Sequence, residues 1–132
     1  MILRLVSLVV IALATGTALW LVSRSRGGHA APSRVDPGPL ALPDAQASTV
    51  VFFGHVDCLT CPDTLAAVQA VLLSLPDVRL RVVEYAEEPT LFQHFEINSV
   101  PTMLLLSARG DVLWARAGHP RGEELVRALA RA

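Results

Sequence analysis

Cys58-Leu59-Thr60-Cys61 holds the only two cysteines of this 132-residue chain. The tetrapeptide stands where one periodicity gives way to another. Before it, Thr49-Val50-Val51-Phe52-Phe53-Gly54 is an almost unbroken apolar run, which reads as a central strand covered on both faces. After it, Leu65, Val68, Leu72 and Leu75 recur at helical spacing. Two cysteines three apart at the start of a helix can close a small reversible disulfide. The helix N-terminus also favours a thiolate on the first of them.

Three chemistries are compatible with such a pair. A redox couple is one, because two cysteines at this spacing do not make a framework of structural bridges. Metal binding is another: His55, Cys58 and Cys61 follow one another at three-residue intervals and supply three ligands. A fourth would have to come from Asp57 or a second chain. The third is an inert apolar pair in a core. Haem attachment is excluded here, since Pro62 and not His follows Cys61. A formal net charge of -1 gives no electrostatic footprint for nucleic acid.

The N-terminus reads as a membrane segment. Residues 5–22 carry no charge and are bounded by Arg4 and Arg24. As a helix they would span about 27 Å, close to the thickness of a hydrocarbon core. Trp20 lies near one end, where an indole suits the interface. A cleavable signal peptide is the rival reading, with Gly16-Thr17-Ala18 as a small-residue site. The apolar run continues through Leu19-Trp20-Leu21-Val22, and this favours a retained transmembrane helix. Counted alone, Arg24, Arg26 and Arg34 against Arg4 would place the following part in the cytoplasm.

Residues 23–47 contain Gly27, Gly28, Pro32, Pro37, Gly38, Pro39 and Pro43 and few apolar side chains. This composition predicts an extended, mobile linker. Residues 48–132 then form one small α/β domain. Strands are predicted at 49–54, 79–85, 102–107 and 112–116, the last two joined by a hairpin through Ala108-Arg109-Gly110-Asp111. Helices are predicted at 63–75, 89–95 and 120–131, the last with Leu125, Val126 and Leu129 as its apolar stripe. The order βαβ-α-ββα implies a parallel crossover followed by antiparallel strands, hence a central mixed sheet flanked by helices.

This pattern, with Cys-x-x-Cys after the first strand, resembles the thioredoxin family. Glu88-Pro89, Phe95, Ile97 and Val100-Pro101-Thr102 resemble the stretch that leads into the family's cis-proline. Gly110 and Gly118 resemble its hairpin glycine and the glycine before its last helix. The resemblance covers residues 49–130 and implies a minimal thioredoxin-like fold, without the family's leading strand and helix. It also implies a thiol–disulfide oxidoreductase that needs no cofactor and exchanges disulfides with protein substrates. Cys58 would be the nucleophile and Cys61 the resolving cysteine. Pro101 would be cis and would present the backbone of Val100 to an extended substrate chain. The usual setting of an N-terminally anchored redox domain is extracytoplasmic, on the periplasmic side, and that is the expected location.

The chain departs from the family near the pair. Asp57 stands where the family usually has Trp. A carboxylate there opposes a Cys58 thiolate, and a protonated His55 would offset it. Thr60-Cys61-Pro62-Asp63 fits a capping pattern that would start the helix at Thr60 and leave Cys58 just outside. A start at Leu59 would instead put Cys58 at the cap. Phe52 and Val82 occupy positions where the family often keeps a buried Asp and its partner Lys. Their joint loss is coherent, because either charge alone would be buried and unpaired.

Overall fold

The computed structural model describes residues 34–42 and 46–130. The apolar segment at 5–22 lies outside them, as does part of the expected linker. Among the described residues no helix is long and apolar enough to cross a membrane.

Every expected element of the domain is present and in the expected order. Strand β1 is Ser48–Gly54, helix α1 Cys61–Leu72, strand β2 Val78–Glu84 and helix α2 Pro89–His94. Strands β3, Thr102–Leu106, and β4, Val112–Ala117, precede helix α3, Gly122–Leu129. The sheet order is β2-β1-β3-β4. β1 runs parallel to β2 and antiparallel to β3, which is antiparallel to β4. The mixed sheet follows from the connections: a helical crossover returns the chain in the same direction, whereas the short hairpin reverses it.

Side chains alternate between two apolar layers. Val50 and Phe52 of β1, with Met103 and Leu105 of β3, pack against Val68 of α1 and Leu125 and Leu129 of α3. Val51 and Phe53, with Leu104 and Leu106, pack against Leu91, Phe92 and Phe95 on the other face. There Phe53 and Phe92 meet edge to face at 5.2 Å between ring centroids, the arrangement their quadrupoles favour. In α3 the expected stripe is corrected at one position. Val126 is 51% exposed, and Ala128 is buried instead. Positions 125, 128 and 129 share one face at i, i+3 and i+4, whereas 126 is rotated about 100° from 125.

The expected linker is also corrected. Residues 34–42 do not hang free but lie on the α2 face of the sheet. The backbone of Arg34 bridges Asp111, and Val35 donates its N–H to the Gly110 carbonyl at 2.9 Å. A short 3-10 turn, Gly38–Leu40, then drops Leu40 into the core at 0% exposure. Arg81 of β2 holds the Leu40 carbonyl at 3.3 Å and clamps both oxygens of Glu88, at the start of α2, at 2.8 and 2.7 Å. The prolines that suggested disorder act in the opposite sense. Pro37 and Pro39 restrict the unfolded chain, so fixing this segment costs less entropy. Gly110 makes the contact possible. It has φ +84°, and a Cβ there would collide with the Val35 carbonyl oxygen.

Leu40→Ala removes a fully buried side chain from this strap. We expect a loss of about 2–4 kcal/mol in urea unfolding. An unchanged midpoint would mean that the strap does not cover the core in solution.

Candidate active site

The redox pair sits where β1 ends and α1 begins. After Gly54 the chain turns through His55-Val56-Asp57, and the Cys58 N–H closes the turn on the His55 carbonyl at 2.9 Å. Cys58 and Cys61 are joined by a disulfide, with 5.4 Å between their Cα atoms, within the usual span of such bridges. The two sulfurs have different surroundings. Cys61 is the first residue of α1 and only 6% exposed, in the layer formed by Phe52, Val68 and Met103. Cys58 stands at the margin of that layer, partly open to solvent. Val56 and Leu59, on either side of it, are 75% and 94% exposed.

Helix α1 starts in the way that leaves Cys58 outside it. Thr60 occupies the cap position, but no side-chain capping bond forms. The reason is its backbone, at φ -96° and ψ -11°, whereas a capping side chain needs an extended residue. Its hydroxyl instead lies 3.8 Å from the Cys58 sulfur. Pro62 in the first turn needs no partner for an N–H it lacks.

Val100–Pro101 is a cis peptide bond. Val100 packs against the layer that contains Cys61 and has Cys58 at its edge, so the β3 approach loop and the pair share one end of the sheet. Pro101 is buried, and its carbonyl accepts the Gly118 N–H at 2.7 Å. Gly118 has φ +83°, a conformation that costs glycine little.

His55 and Asp57 lie on the solvent side of the turn. The Asp57 N–H donates to His55 Nδ1 at 3.0 Å, and the His55 ring leans on Tyr85 at 5.5 Å between centroids. The same Nδ1 lies 3.7 Å from the Asp57 carboxylate. The Asp57 side chain is 88% exposed, and water screens its field at Cys58. Nor do His55, Cys58 and Cys61 form a ligand set. The sulfurs are bonded to each other, and among the described residues no group of three or more His, Cys, Asp or Glu side chains is arranged to hold a metal.

Phe52 and Val82 are register partners across β1 and β2. Phe52 is 2% exposed and lies in the same layer as Cys61, but Val82 is 38% exposed. The expected buried pair is therefore half realised: residue 52 is enclosed beneath the disulfide, while residue 82 reaches solvent on edge strand β2. Val68 and Met103 are further fully buried hydrophobic side chains beside Phe52 in this layer, with Val50 and Leu105. The buried polar residue of α1 is Thr64, fully enclosed one turn after Cys61. Its hydroxyl lies 2.8 Å from the Thr60 carbonyl and 2.8 Å from Nδ1 of His119. The sequence reading passed over both residues. They are 55 positions apart, and no local motif links them. A cleft of about 680 Å³ between Arg116 and the start of α3 contains neither cysteine.

No family model matches the chain. No curated protein matches it. Solved structures do. Thioredoxin-2 of the malaria parasite is 17% identical with a TM-score of 0.61, over 65% of this chain and 84% of that one.

The domain has the thioredoxin fold.

Mitochondrial thioredoxin 3 of Saccharomyces cerevisiae, in its oxidised form, is 20% identical with a TM-score of 0.58, over 66% of this chain and 80% of the other. StoA of Bacillus subtilis is 18% identical with a TM-score of 0.54, over 65% and 84%. Within this thioredoxin fold the Cys-x-x-Cys turn and the cis-proline loop meet at one end of the sheet, and the enclosed floor beneath them carries Phe52.

Phe52→Asp would place a carboxylate in that floor. We expect it to cost on the order of 3 kcal/mol or more, the penalty of an unpaired buried charge. Adding Val82→Lys should restore part of the loss, because the register sets an ammonium beside it with access to water. Urea midpoints of the parent, the single and the double variant test this. Equal midpoints for parent and Phe52→Asp would show that residue 52 does not face the enclosed side.

Proposed function

We propose that the protein is a membrane-tethered thiol–disulfide oxidoreductase acting on protein substrates. The carrying observation is the graded exposure of a bonded pair: Cys58 at the surface, Cys61 beneath it at the first residue of α1. In the reducing direction the Cys58 thiolate attacks one sulfur of a substrate disulfide. That S–S bond breaks, a mixed disulfide forms, and the departing substrate sulfur takes up a proton. Cys61 then loses its proton and attacks the Cys58 sulfur. The second substrate thiol is released, and two electrons have passed from the pair to the substrate. Running backwards, a substrate thiolate attacks the accessible Cys58 sulfur and Cys61 leaves as the thiolate.

Two features support substrates that are extended chains. Val56 and Leu59 offer apolar contact around the accessible sulfur. Beside the pair, the backbone of Val100 precedes a proline, which has no N–H to compete with a substrate strand. Pro101 and Val100 are thus assigned to substrate binding, and His55, Asp57 and Thr60 to tuning Cys58.

The tether is assigned to residues 5–22, with the redox domain on the extracytoplasmic side. The described chain begins at Arg34 against the β3–β4 hairpin. Leu106 pairs with Thr49 near the start of β1, whereas Thr102 pairs with Phe53 near its end. The hairpin is therefore at the end of the sheet remote from Cys58.

Cys61→Ser should accumulate mixed disulfides with substrate proteins on non-reducing gels, and Cys58→Ser should not. Trapping by Cys58→Ser instead would reverse the roles of the two sulfurs. For the tether, alkaline carbonate extraction should leave the full chain in the membrane pellet, and a membrane-impermeant protease should digest the redox domain from outside. Release into the supernatant would overturn the anchor, and full protection in intact cells would overturn the orientation.

A further inference from the structure

The redox turn has one polar support from outside its own segment. Thr60, between the two cysteines, has no side-chain capping bond of its own. Its carbonyl accepts the Thr64 N–H at 3.1 Å and lies 2.8 Å from the Thr64 hydroxyl. A buried threonine often makes such a bond to the carbonyl four residues back, with no further meaning. Here the same hydroxyl also meets His119 Nδ1 at 2.8 Å. A hydroxyl has a single proton. With that proton on the Thr60 carbonyl, His119 must donate from Nδ1 to the Thr64 oxygen. His119 is itself placed by the neighbouring Gly118, whose N–H is held by the Pro101 carbonyl. Hydrogen bonds thus run from the His119 ring through Thr64 to the residue whose hydroxyl faces the Cys58 sulfur.

We propose that His119 is a positioning residue for the Cys58–Cys61 pair, acting through Thr64 to hold the Thr60 carbonyl and with it the turn that keeps the two cysteines at bonding distance. This rests on the oxidoreductase reading above. The Nδ1–H fixes the Thr64 hydroxyl on Thr60. Without that donor the Thr64 oxygen loses one of its two polar partners, the turn is held less firmly, and closing the disulfide must first order a looser loop.

The test is the equilibrium of the full chain, in mild detergent, with reduced and oxidised glutathione, read by alkylation and mass spectrometry. His119→Leu and Thr64→Val should each shift the Cys58–Cys61 equilibrium towards the dithiol by about three- to tenfold, the size of one net hydrogen bond. The double variant should shift it no further than Thr64→Val alone, as expected for one coupled contact. His119→Asn, which keeps an N–H donor near the Nδ1 position, should return within about twofold of the parent, the size of the smallest net hydrogen-bond effect. A purely structural role would lower the urea midpoint without this pattern. An unshifted equilibrium in His119→Leu, additive effects in the double variant, or no rescue by Asn would overturn the proposal. A parent whose cysteines never exchange with glutathione would overturn the oxidoreductase reading, and this inference with it.

Discussion

The pairing of β1 with strands on both sides is the constraint on which the site depends. β1 is hydrogen-bonded to β2 along one edge and to β3 along the other, so its end at Gly54 is held from two directions. The cysteine turn leaves from that end. The cis-proline loop arrives beside it, because β3 runs antiparallel and begins opposite Phe53. The two segments are about forty residues apart in the chain, and only the strand register brings them together. A slip of one residue in β1 would turn Phe52 and Val50 to the other layer and take the support from under Cys61.

The hydrophobic layer that holds Cys61 is built on Phe52, Val68 and Met103. Phe52 is buried in that layer, and its register partner Val82 is 38% exposed. An apolar floor excludes water and makes a charged Cys61 sulfur costly to form. Polar contact with the turn comes instead from Thr64 and His119 at its flank, and from solvent at Cys58. The surface residues His55 and Asp57 are arranged around each other more than around the sulfurs.

The strap at residues 34–42 answers a different need. The α2 face of the sheet has a single short helix of six residues over it. Leu40, supported by Arg81 and by the hairpin at Gly110, fills the space that helix leaves open.

Much of this was legible in the residues. The apolar run at 49–54, the helical recurrence of Leu65, Val68 and Leu72, and the glycine in the hairpin each reflect a local period or backbone preference. The strand and helix order follows from them, and so does the place of Cys58 and Cys61 at a strand-to-helix junction. Other features depend on neighbours distant in sequence, and no local pattern could reveal them. Residues 34–42 read as a loose linker because their composition is poor in apolar groups, and only the uncovered sheet face gives Leu40 somewhere to go. Val82 reads like any inner strand residue, yet its strand is an edge and no helix covers it there. Val126 belongs to a plausible stripe until the sheet selects which face of α3 turns inward. Thr64 and His119 carry no motif at all. A hydrogen bond between them exists because the sheet sets the loop before α3 against the first turn of α1, and that placement is a property of the fold.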